Sequence, residues 1–296
     1  MNRVMINLQV HSLHNYRRKT TNMIMLVLAG VSTVIAIVPL VWILFYVIIK
    51  GAAALSWDFF TKLPTPAGVP GGGLANAVVG SVITVGIGVI IAAPVGVLAA
   101  FYLLSSQTKP FGQVVRFATD VIAGVPSIVM GIFAYTLIVL PQGHFSALAG
   151  GIVLAFIMLP IIVRTTEEML KLVPNSLREG SLALGATEWR SSFSIILPAA
   201  FNGVLTGLML AIARGAGEAA PMLFTAFGNP FMSVSLNEPI ATLPQTIFVY
   251  AISPYKDWQA KAWATALVLI VLVFSLNILS RVIVWWRTRQ LGSGNR

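Results

Sequence analysis

The sequence predicts an all-α membrane protein with six transmembrane helices. Of its 296 residues, 57% are apolar and 9% are charged, whereas about a quarter of the residues in a soluble domain are charged. The apolar residues form long runs, and about 20 such residues are enough for a helix to cross a bilayer. The basic residues are concentrated in the short segments between these runs, a distribution typical of multi-span membrane proteins.

The runs divide the chain in a regular way. A polar, basic segment at 1–22 precedes the first span at 23–49, and a second basic segment follows at 287–296. Between the first two spans lies a run rich in Pro and Gly, which cannot form a regular helix. We expect a single membrane core at 74–286 that holds the other five spans, at 74–104, 117–140, 147–163, 199–227 and 262–286. The third span is expected to be broken by Gly124, Pro126 and Gly131.

The charge distribution predicts the orientation. Six spans place both termini on one side, and that side holds 14 of the 19 Lys and Arg residues. Four lie on the other side, namely Lys50, Lys62, Lys256 and Lys261, and Arg214 lies inside the fifth span. Because basic loops stay in the cytoplasm, the termini and the loop at 174–198 are expected there. The net charge of +10 therefore indicates topology rather than a nucleic-acid surface.

The loop at 174–198 is polar and yet patterned. Ser176 and Glu179 have the spacing of a capping box, and Gly185 is placed to end the short helix that they begin. Thr187 can cap a second short helix. Apolar residues then recur at i, i+4 and i+7 on one helical face, namely Trp189, Phe193 and Ile196. Two short helices and a turn predict a docking surface, and an amphipathic turn on the membrane is the alternative.

The spacing within this loop resembles the EAA loop of ABC-importer permeases, which reads E-A-A, three residues, G, nine residues, I-x-L-P. The matching residues are Glu179, Gly185, Ile195, Leu197 and Pro198. Gly180 and Ser181 stand where the family has two alanines, and both are small enough for close packing. In that family the loop contacts a cytoplasmic ATPase, so the resemblance implies the same coupling role for these seven residues.

The sequence gives little support for an enzyme. It has no cysteine and therefore no thiol nucleophile and no thiolate metal site. Phosphate-loop, zinc-protease and serine-hydrolase motifs are absent from it, and His11, His14 and His144 lack metal-ligand spacing. We expect no catalytic residue, no metal site and no bound cofactor in this chain, with ATP hydrolysed by a partner subunit.

Arg214 is the most informative polar residue within an apolar run. An arginine at the centre of a membrane helix costs about 2.5–3.5 kcal/mol on insertion scales, so it should face the bundle interior or a water-filled path. Glu218 is four residues on and can pair with it, and Gly203 and Gly207 form a helix-packing motif. The pair is either an anion-attracting point on a translocation path or an internal ion pair that fixes helix packing.

Several stretches resemble phosphate ABC-transporter permeases of the PstA type, in the same order along 70–286. They are G-G-G-L-A-N-A at 71–77, G-V-P-S-I-V at 124–129, V-R-T-T-E at 163–167, L-K-L-V-P-N-S-L-R-E at 170–179 and A-R-G-A-G-E-A-A-P at 213–221. The resemblance implies a type I (MetI-like) importer fold in a bacterial inner membrane. It also implies three partners: a homologous second permease, an ATPase dimer and an extracytoplasmic phosphate-binding protein.

The same resemblance assigns Arg214, Glu218 and Arg164 to the phosphate path or its gating. For Arg164, an ordinary side chain that reaches from the span to the cytoplasmic interface is the alternative. Arg116 and Asp120 are four residues apart, and we expect an ion pair between them. Other functions also remain open: a permease for sulfate or molybdate, a secondary transporter without an ATPase, or a structural membrane subunit.

Overall fold

The computed structural model describes the backbone of residues 2–106 and 109–293 and the side chains of residues 17–106, 109–286 and 289. Every named element within these ranges is helical, and one isolated bridge joins Phe227 to Ile240. The predicted segments at 1–22 and 287–296 lie partly outside the described residues, and so do the side chains of His11 and His14. The all-α fold class predicted from the sequence is confirmed.

The helices follow one another along the chain, and two short π-helical stretches, Tyr135–Val139 and Ser192–Ile196, interrupt the α-helical ladder. The α-helices are α1 Asn2–Ala54, α2 Trp57–Thr61, α3 Ala75–Ser105, α4 Pro110–Gly124, α5 Ser127–Ala134, α6 Leu140–Gln142, α7 Ala147–Lys171, α8 Asn175–Ala183, α9 Glu188–Ser191, α10 Leu197–Ala216, α11 Ala220–Thr225, α12 Leu243–Ala251 and α13 Lys256–Ser293.

Residues 1–50 form a compact unit of their own, and the remaining residues form a second unit. The first unit is a single helix from Asn2 onward, so the predicted boundary between the polar segment and the first span is not a break in the helix. From Arg17 this helix is long and apolar enough to cross a membrane, and the side chains of its most apolar part are exposed. An exposed apolar run of this length is expected where a helix faces lipid.

The second unit contains four long helices and one bent pair. The bent pair is Pro110–Gly124 with Ser127–Gln142, and its two arms meet at 104°. The third span, predicted at 117–140 with a break at Gly124, Pro126 and Gly131, is therefore broken as expected. The cause is Pro126, which lacks an N–H and disfavours the helical conformation at the residue before it. Val125 accordingly takes an extended conformation with φ −71° and ψ 130°.

The fifth span is also broken, at its far end. It begins earlier than predicted, because one continuous helix runs from Glu188 to Ala216. It then ends at Ala216 instead of continuing to Phe227, and the separate helix α11 starts at Ala220. Pro221 lies in the first turn of α11, where a missing N–H costs nothing. The predicted count of six spans holds when the bent pair is counted as one span.

Helix α7 lies at the centre of the second unit, and most of its apolar part is buried. Helix α3 packs closely against it through glycines. A Cβ on Gly96 would lie 2.7 Å from the side chain of Ile162, and a Cβ on Gly88 would lie 3.1 Å from Leu154. The absence of side chains at these two positions brings the backbones of α3 and α7 together.

Helix α10 packs against α7 in the same manner. The predicted packing motif at Gly203 and Gly207 is confirmed, and a third glycine extends it along the helix. A Cβ on Gly207 would lie 2.1 Å from Oγ1 of Thr165. The contacts run in opposite directions along the two helices, so α7 and α10 are antiparallel: Gly203 against Met169, Gly207 against Thr165 and Gly215 against Met158.

A separate apolar cluster joins α2, the start of α3, α12 and the start of α13. Phe59 and Leu243 are buried within it. The rings of Tyr250 and Trp258 stack with their centroids 4.3 Å apart. Burial and, secondarily, the nearby Asp257 raise the pKa of Tyr250 to about 12, so its phenol remains a neutral part of this cluster.

Candidate functional site

A cavity of about 460 Å³ lies where α4 and α5 meet at their bend and α7 and α10 pass beside it. Val125 and Ser127 line it from the bend, and Pro160 lines it from α7. Arg164 and Arg214, predicted as site residues from widely separated parts of the sequence, both line this cavity. Two guanidinium groups in one space within a bundle of apolar helices make the cavity suited to an anion.

Arg214 and Glu218 form the predicted ion pair, with Nε of Arg214 2.9 Å from Oε1 of Glu218. The Arg214 side chain is 59% exposed, whereas Glu218 is buried. The sequence placed Arg214 in the middle of a long helix, and this was wrong because α10 ends two residues later. The pair spans the break at Gly217 instead of lying along one helical face.

The depth of Arg214 can be read from the helix that packs against it. Its neighbour Gly215 contacts Met158, near the middle of α7, and Gly207 contacts Thr165, beside Arg164. With a rise of 1.5 Å per residue, Arg214 lies about 8–10 Å farther along the α7 axis than Arg164. Non-helical backbone at such a depth is tolerated where it is buried in protein or lines a water-filled space, and Arg214, three residues before Gly217, lines this cavity.

Arg164 has protein partners, so it is more than a snorkelling side chain. Its Nε lies 3.0 Å from Oδ1 of Asp120, and its Nη2 contacts the same oxygen. Its Nη1 lies 3.6 Å from Oε2 of Glu167. The predicted ion pair between Arg116 and Asp120 on one helix was wrong. Arg116 instead pairs with Glu167 across α4 and α7.

Glu167 is a functional candidate that sequence reasoning missed. It is 1% exposed, and Nη2 of Arg116 and Nζ of Lys171 lie 2.9 Å and 2.8 Å from its Oε1. Arg116 also donates a hydrogen bond of 2.9 Å to the carbonyl of Leu103 at the end of α3. The spacing of Arg164, Glu167 and Lys171 at i, i+3 and i+7 was a visible signal that these charges share one face of α7.

The loop at 174–198 begins with α8. The predicted capping box is not formed, because α8 starts at Asn175 with Pro174 as its N-cap and no side-chain cap. The predicted role of Gly185 as the residue that ends this helix is confirmed, since Gly185 has φ +83°. Its N–H donates to Leu182 and the next N–H, of Ala186, donates to Ser181. These two hydrogen bonds are the Schellman pattern that closes a helix on a left-handed residue.

Two side-chain contacts join α8 to α9. Nη2 of Arg178 lies 2.7 Å from Oε2 of Glu188, and the buried hydroxyls of Ser181 and Ser191 are 2.5 Å apart. Ser181 also donates to the carbonyl of Arg178 at 2.7 Å. Because a hydroxyl has one proton, Ser191 is the donor in the contact between the two serines. Ser181, one of the two departures from the E-A-A pattern, thus has a structural role.

The second half of the loop leads without a break into the membrane. Thr187 caps α9 by accepting from the N–H of Arg190 at 3.3 Å, as predicted. The Trp189 ring packs on Phe193 at 4.4 Å, and Phe193 packs on Phe101 of α3 at 4.9 Å. Pro198 was expected to end this unit, but it lies in the first turn of α10, after a π-helical stretch that includes Ile195.

Glu179 and Gly180 lie on the exposed side of α8, and Leu197 follows the π-helical stretch at the start of α10. A Cβ on Gly180 would meet nothing within 4 Å. The alanine typical of the EAA pattern would therefore fit at this position. In the part of the chain that the structure describes, no group of three or more His, Cys, Asp or Glu side chains is placed to hold a metal ion.

Comparison with known proteins identifies the family. A family model described as binding-protein-dependent transport system inner membrane component matches residues 92–286. The phosphate transport system permease protein PstA of Haemophilus influenzae is 48% identical over 272 residues, which cover 92% of this chain and 96% of that protein. The chain belongs to this permease family. The PstA protein of Yersinia pestis is 46% identical over 267 residues, 90% of each chain.

A solved structure supports the fold. The MetNI methionine ABC transporter in an inward-facing conformation matches the permease with a TM-score of 0.60 at 18% identity, over 71% of this chain and 95% of that chain. At this identity the match concerns the fold alone. The predicted MetI-like importer fold and the resemblance to PstA-type permeases are both confirmed. As in its relatives, the permease is a membrane subunit and not an enzyme by itself.

Proposed function

We propose that the permease carries inorganic phosphate across a bacterial inner membrane as one subunit of an ABC importer. The observation that carries this proposal is the cavity lined by both Arg164 and Arg214. An arginine presents a planar fork of donors that matches the oxygens of phosphate. Relatives that are 46–48% identical over nine-tenths of the chain are phosphate permeases, which favours phosphate over sulfate or molybdate.

Arg214, Glu218 and Arg164 define the path in this proposal. Phosphate meets Arg214 first, near the middle of the bundle, and then Arg164, which is closer to the loop at 174–198. The buried Glu218 weakens the attraction of Arg214 for phosphate, because the Glu218 carboxylate lies 2.9 Å from Nε of Arg214. A substrate that is bound in steps by partly neutralised cations can leave as well as enter. A homologous second permease completes the walls of the path.

The loop at 174–198 couples this path to ATP hydrolysis in a separate ATPase dimer, so the permease itself needs no cofactor. Leu184 and Trp189 are 91% and 65% exposed, and an ATPase groove that covers them gains apolar burial. The Arg178–Glu188 and Ser181–Ser191 contacts let α8 and α9 move as one body. Glu179, Gly185 and the segment from Ile195 to Pro198 complete the coupling unit.

In this proposal both termini and the coupling loop lie in the cytoplasm, and the distribution of basic residues supports that orientation. The loops at 55–74 and 228–242 then face outward, towards an extracytoplasmic phosphate-binding protein. A cavity of about 600 Å³ lies between these loops and α12 and is lined by Phe231, Gln245 and Trp258. Exposed aromatic residues such as Phe231 are typical anchors of protein interfaces.

The decisive experiment is ATP-dependent uptake by the complete reconstituted importer, with phosphate, sulfate and molybdate compared in parallel. Phosphate uptake is expected for the wild type, and Arg214→Gln should lower it at least about tenfold, the loss of one hydrogen bond to a charged group. Arg281→Gln is the matched control, since Arg281 is an exposed cation on α13 that does not line the cavity. Normal phosphate uptake by Arg214→Gln, with normal assembly, contradicts the proposed path.

A further inference from the structure

The anion-binding edge of Arg164 is already occupied by a carboxylate. A guanidinium binds an oxyanion best along the edge formed by Nε and one terminal nitrogen. In the permease, Nε of Arg164 lies 3.0 Å from Oδ1 of Asp120, and Nη2 contacts the same atom. The other terminal nitrogen, Nη1, lies 3.6 Å from Glu167. Any phosphate that reaches Arg164 along this edge must take the place of Asp120.

The carboxylates near the cavity differ in how firmly they are held. Glu167 is 1% exposed and has two further cationic partners, Arg116 and Lys171. Glu218 is also buried. Asp120 is 57% exposed and lies on α4, next to the bend that borders the cavity. Because solvent-exposed ion pairs are worth about 0–1 kcal/mol, Asp120 is the carboxylate that an incoming anion can displace most readily.

We propose that Asp120 is a built-in competitor for phosphate at Arg164. In the empty cavity its carboxylate satisfies the Nε–Nη2 edge, so Arg164 is neutralised and does not trap stray anions. Phosphate displaces the carboxylate by offering two oxygens to the same edge, and the return of Asp120 then speeds the release of phosphate towards the cytoplasm. No covalent bond forms or breaks. This inference rests on the proposed function of the cavity as a phosphate path.

The test is equilibrium binding of radiolabelled inorganic phosphate to the purified complete importer in nanodiscs, without nucleotide or binding protein. Asp120→Asn removes the competing charge and should tighten binding about threefold to fivefold, the range of an exposed ion pair. Uptake at saturating phosphate should fall in the same variant because release is slower. Asp120→Glu restores the competitor and should keep the wild-type dissociation constant. In the double variant Arg164→Gln with Asp120→Asn, the tighter binding of phosphate that Asp120→Asn produces should be lost.

Glu168→Gln is the matched control, because Glu168 is an exposed carboxylate on α7 that does not line the cavity. It should leave both phosphate binding and uptake unchanged. If Asp120 merely ties α4 to α7, Asp120→Asn will lower the thermal midpoint and will not tighten binding. That result overturns the inference. If Asp120→Asn does not assemble, Asp120→Ser provides the same comparison.

The two proposals fail in different ways. If the wild type binds and transports sulfate or molybdate instead of phosphate, the proposed substrate is wrong, and the comparison of Asp120 variants proceeds with the anion that is carried. If phosphate is transported and Asp120→Asn binds it with wild-type affinity or more weakly, the proposed function stands and the competitor is ruled out.

Discussion

Glu167 is the residue at which most charge converges, since it is almost fully buried and lies within 4 Å of Arg116, Lys171 and Arg164. Each partner is itself partly exposed. Replacing a buried carboxylate that is surrounded by cations with a neutral group lowers stability, because the cations then lose the charge that compensates them. Glu167 therefore serves as the fixed anion of this end of the bundle, in contrast to the exposed Asp120.

We expect Glu167→Gln to lower the free energy of unfolding by about 3 kcal/mol, the low end for breaking a buried ion pair, because its partners retain some solvent. The measurement is the thermal unfolding of the purified importer. The neighbouring Glu168→Gln is the control, since Glu168 is exposed and should change stability by less than about 0.5 kcal/mol. Equal effects of the two changes contradict the central role of Glu167.

Gly180 and Gly185 lie in the same loop, and their replacement by alanine is expected to have opposite effects on the stability of α8. Gly180→Ala should stabilise α8 by up to about 1 kcal/mol, because alanine is the better helix former and its Cβ meets nothing within 4 Å. Gly185→Ala should destabilise it by about 1–2 kcal/mol, because φ is +83° there. Hydrogen exchange of the α8 amides measures both. Slower exchange in Gly185→Ala would refute the capping assignment.

The residues of the cavity were only partly visible in the sequence. Arg214 and Glu218 stood out because charges in an apolar run are costly. The pairing of Arg164 with Asp120 was not predicted, since ion pairs between helices depend on how α4 and α7 cross and not on spacing within either one. The spacing along α4 predicted Asp120, four residues on, as the partner of Arg116. In the folded protein Arg116 pairs with Glu167 of α7 instead.

At the scale of single elements, α8 and α9 are held together by a contact whose loss can be measured by a double-mutant cycle. Ser181→Ala leaves the hydroxyl of Ser191, which is 1% exposed, without this partner and should cost about 1–2 kcal/mol. The double change Ser181→Ala with Ser191→Ala should recover part of that loss, because no buried donor is then unpaired. Simple additivity of the two single changes in thermal unfolding would contradict the contact.

The helix breaks show what element prediction can and cannot reach. Pro126 was visible in the sequence as a residue that interrupts the third span, whereas the break at Gly217 was not predicted. The size of the break at Pro126 was not predictable, because a proline in a membrane helix can produce a mild kink or a complete break, depending on which neighbours satisfy the freed backbone groups. At Val125 the break amounts to a turn of 104°, and at Gly217 it separates α10 from α11.

At the scale of the whole molecule, the close contact between α7 and α10 can be tested by adding one methyl group between the two helices. Gly207→Ala places a Cβ 2.1 Å from Oγ1 of Thr165, so the helices must separate, and we expect a loss of about 1–3 kcal/mol. Gly86→Ala, on α3, is the control because nothing lies within 4 Å of the added Cβ. Equal thermal midpoints for both variants would rule out close approach at Gly207.

The continuous helix from Glu188 to Ala216 has 29 residues, so it is about 43 Å long at 1.5 Å per residue. One end carries Trp189 in the coupling unit, and the other end carries Arg214. Because the helix is this long, a small change in its angle moves its far end by several ångström. A tilt of about 10° around the end that carries Trp189 moves Arg214 by about 7 Å, so a small rotation at that end is enough to reshape the cavity near Arg214.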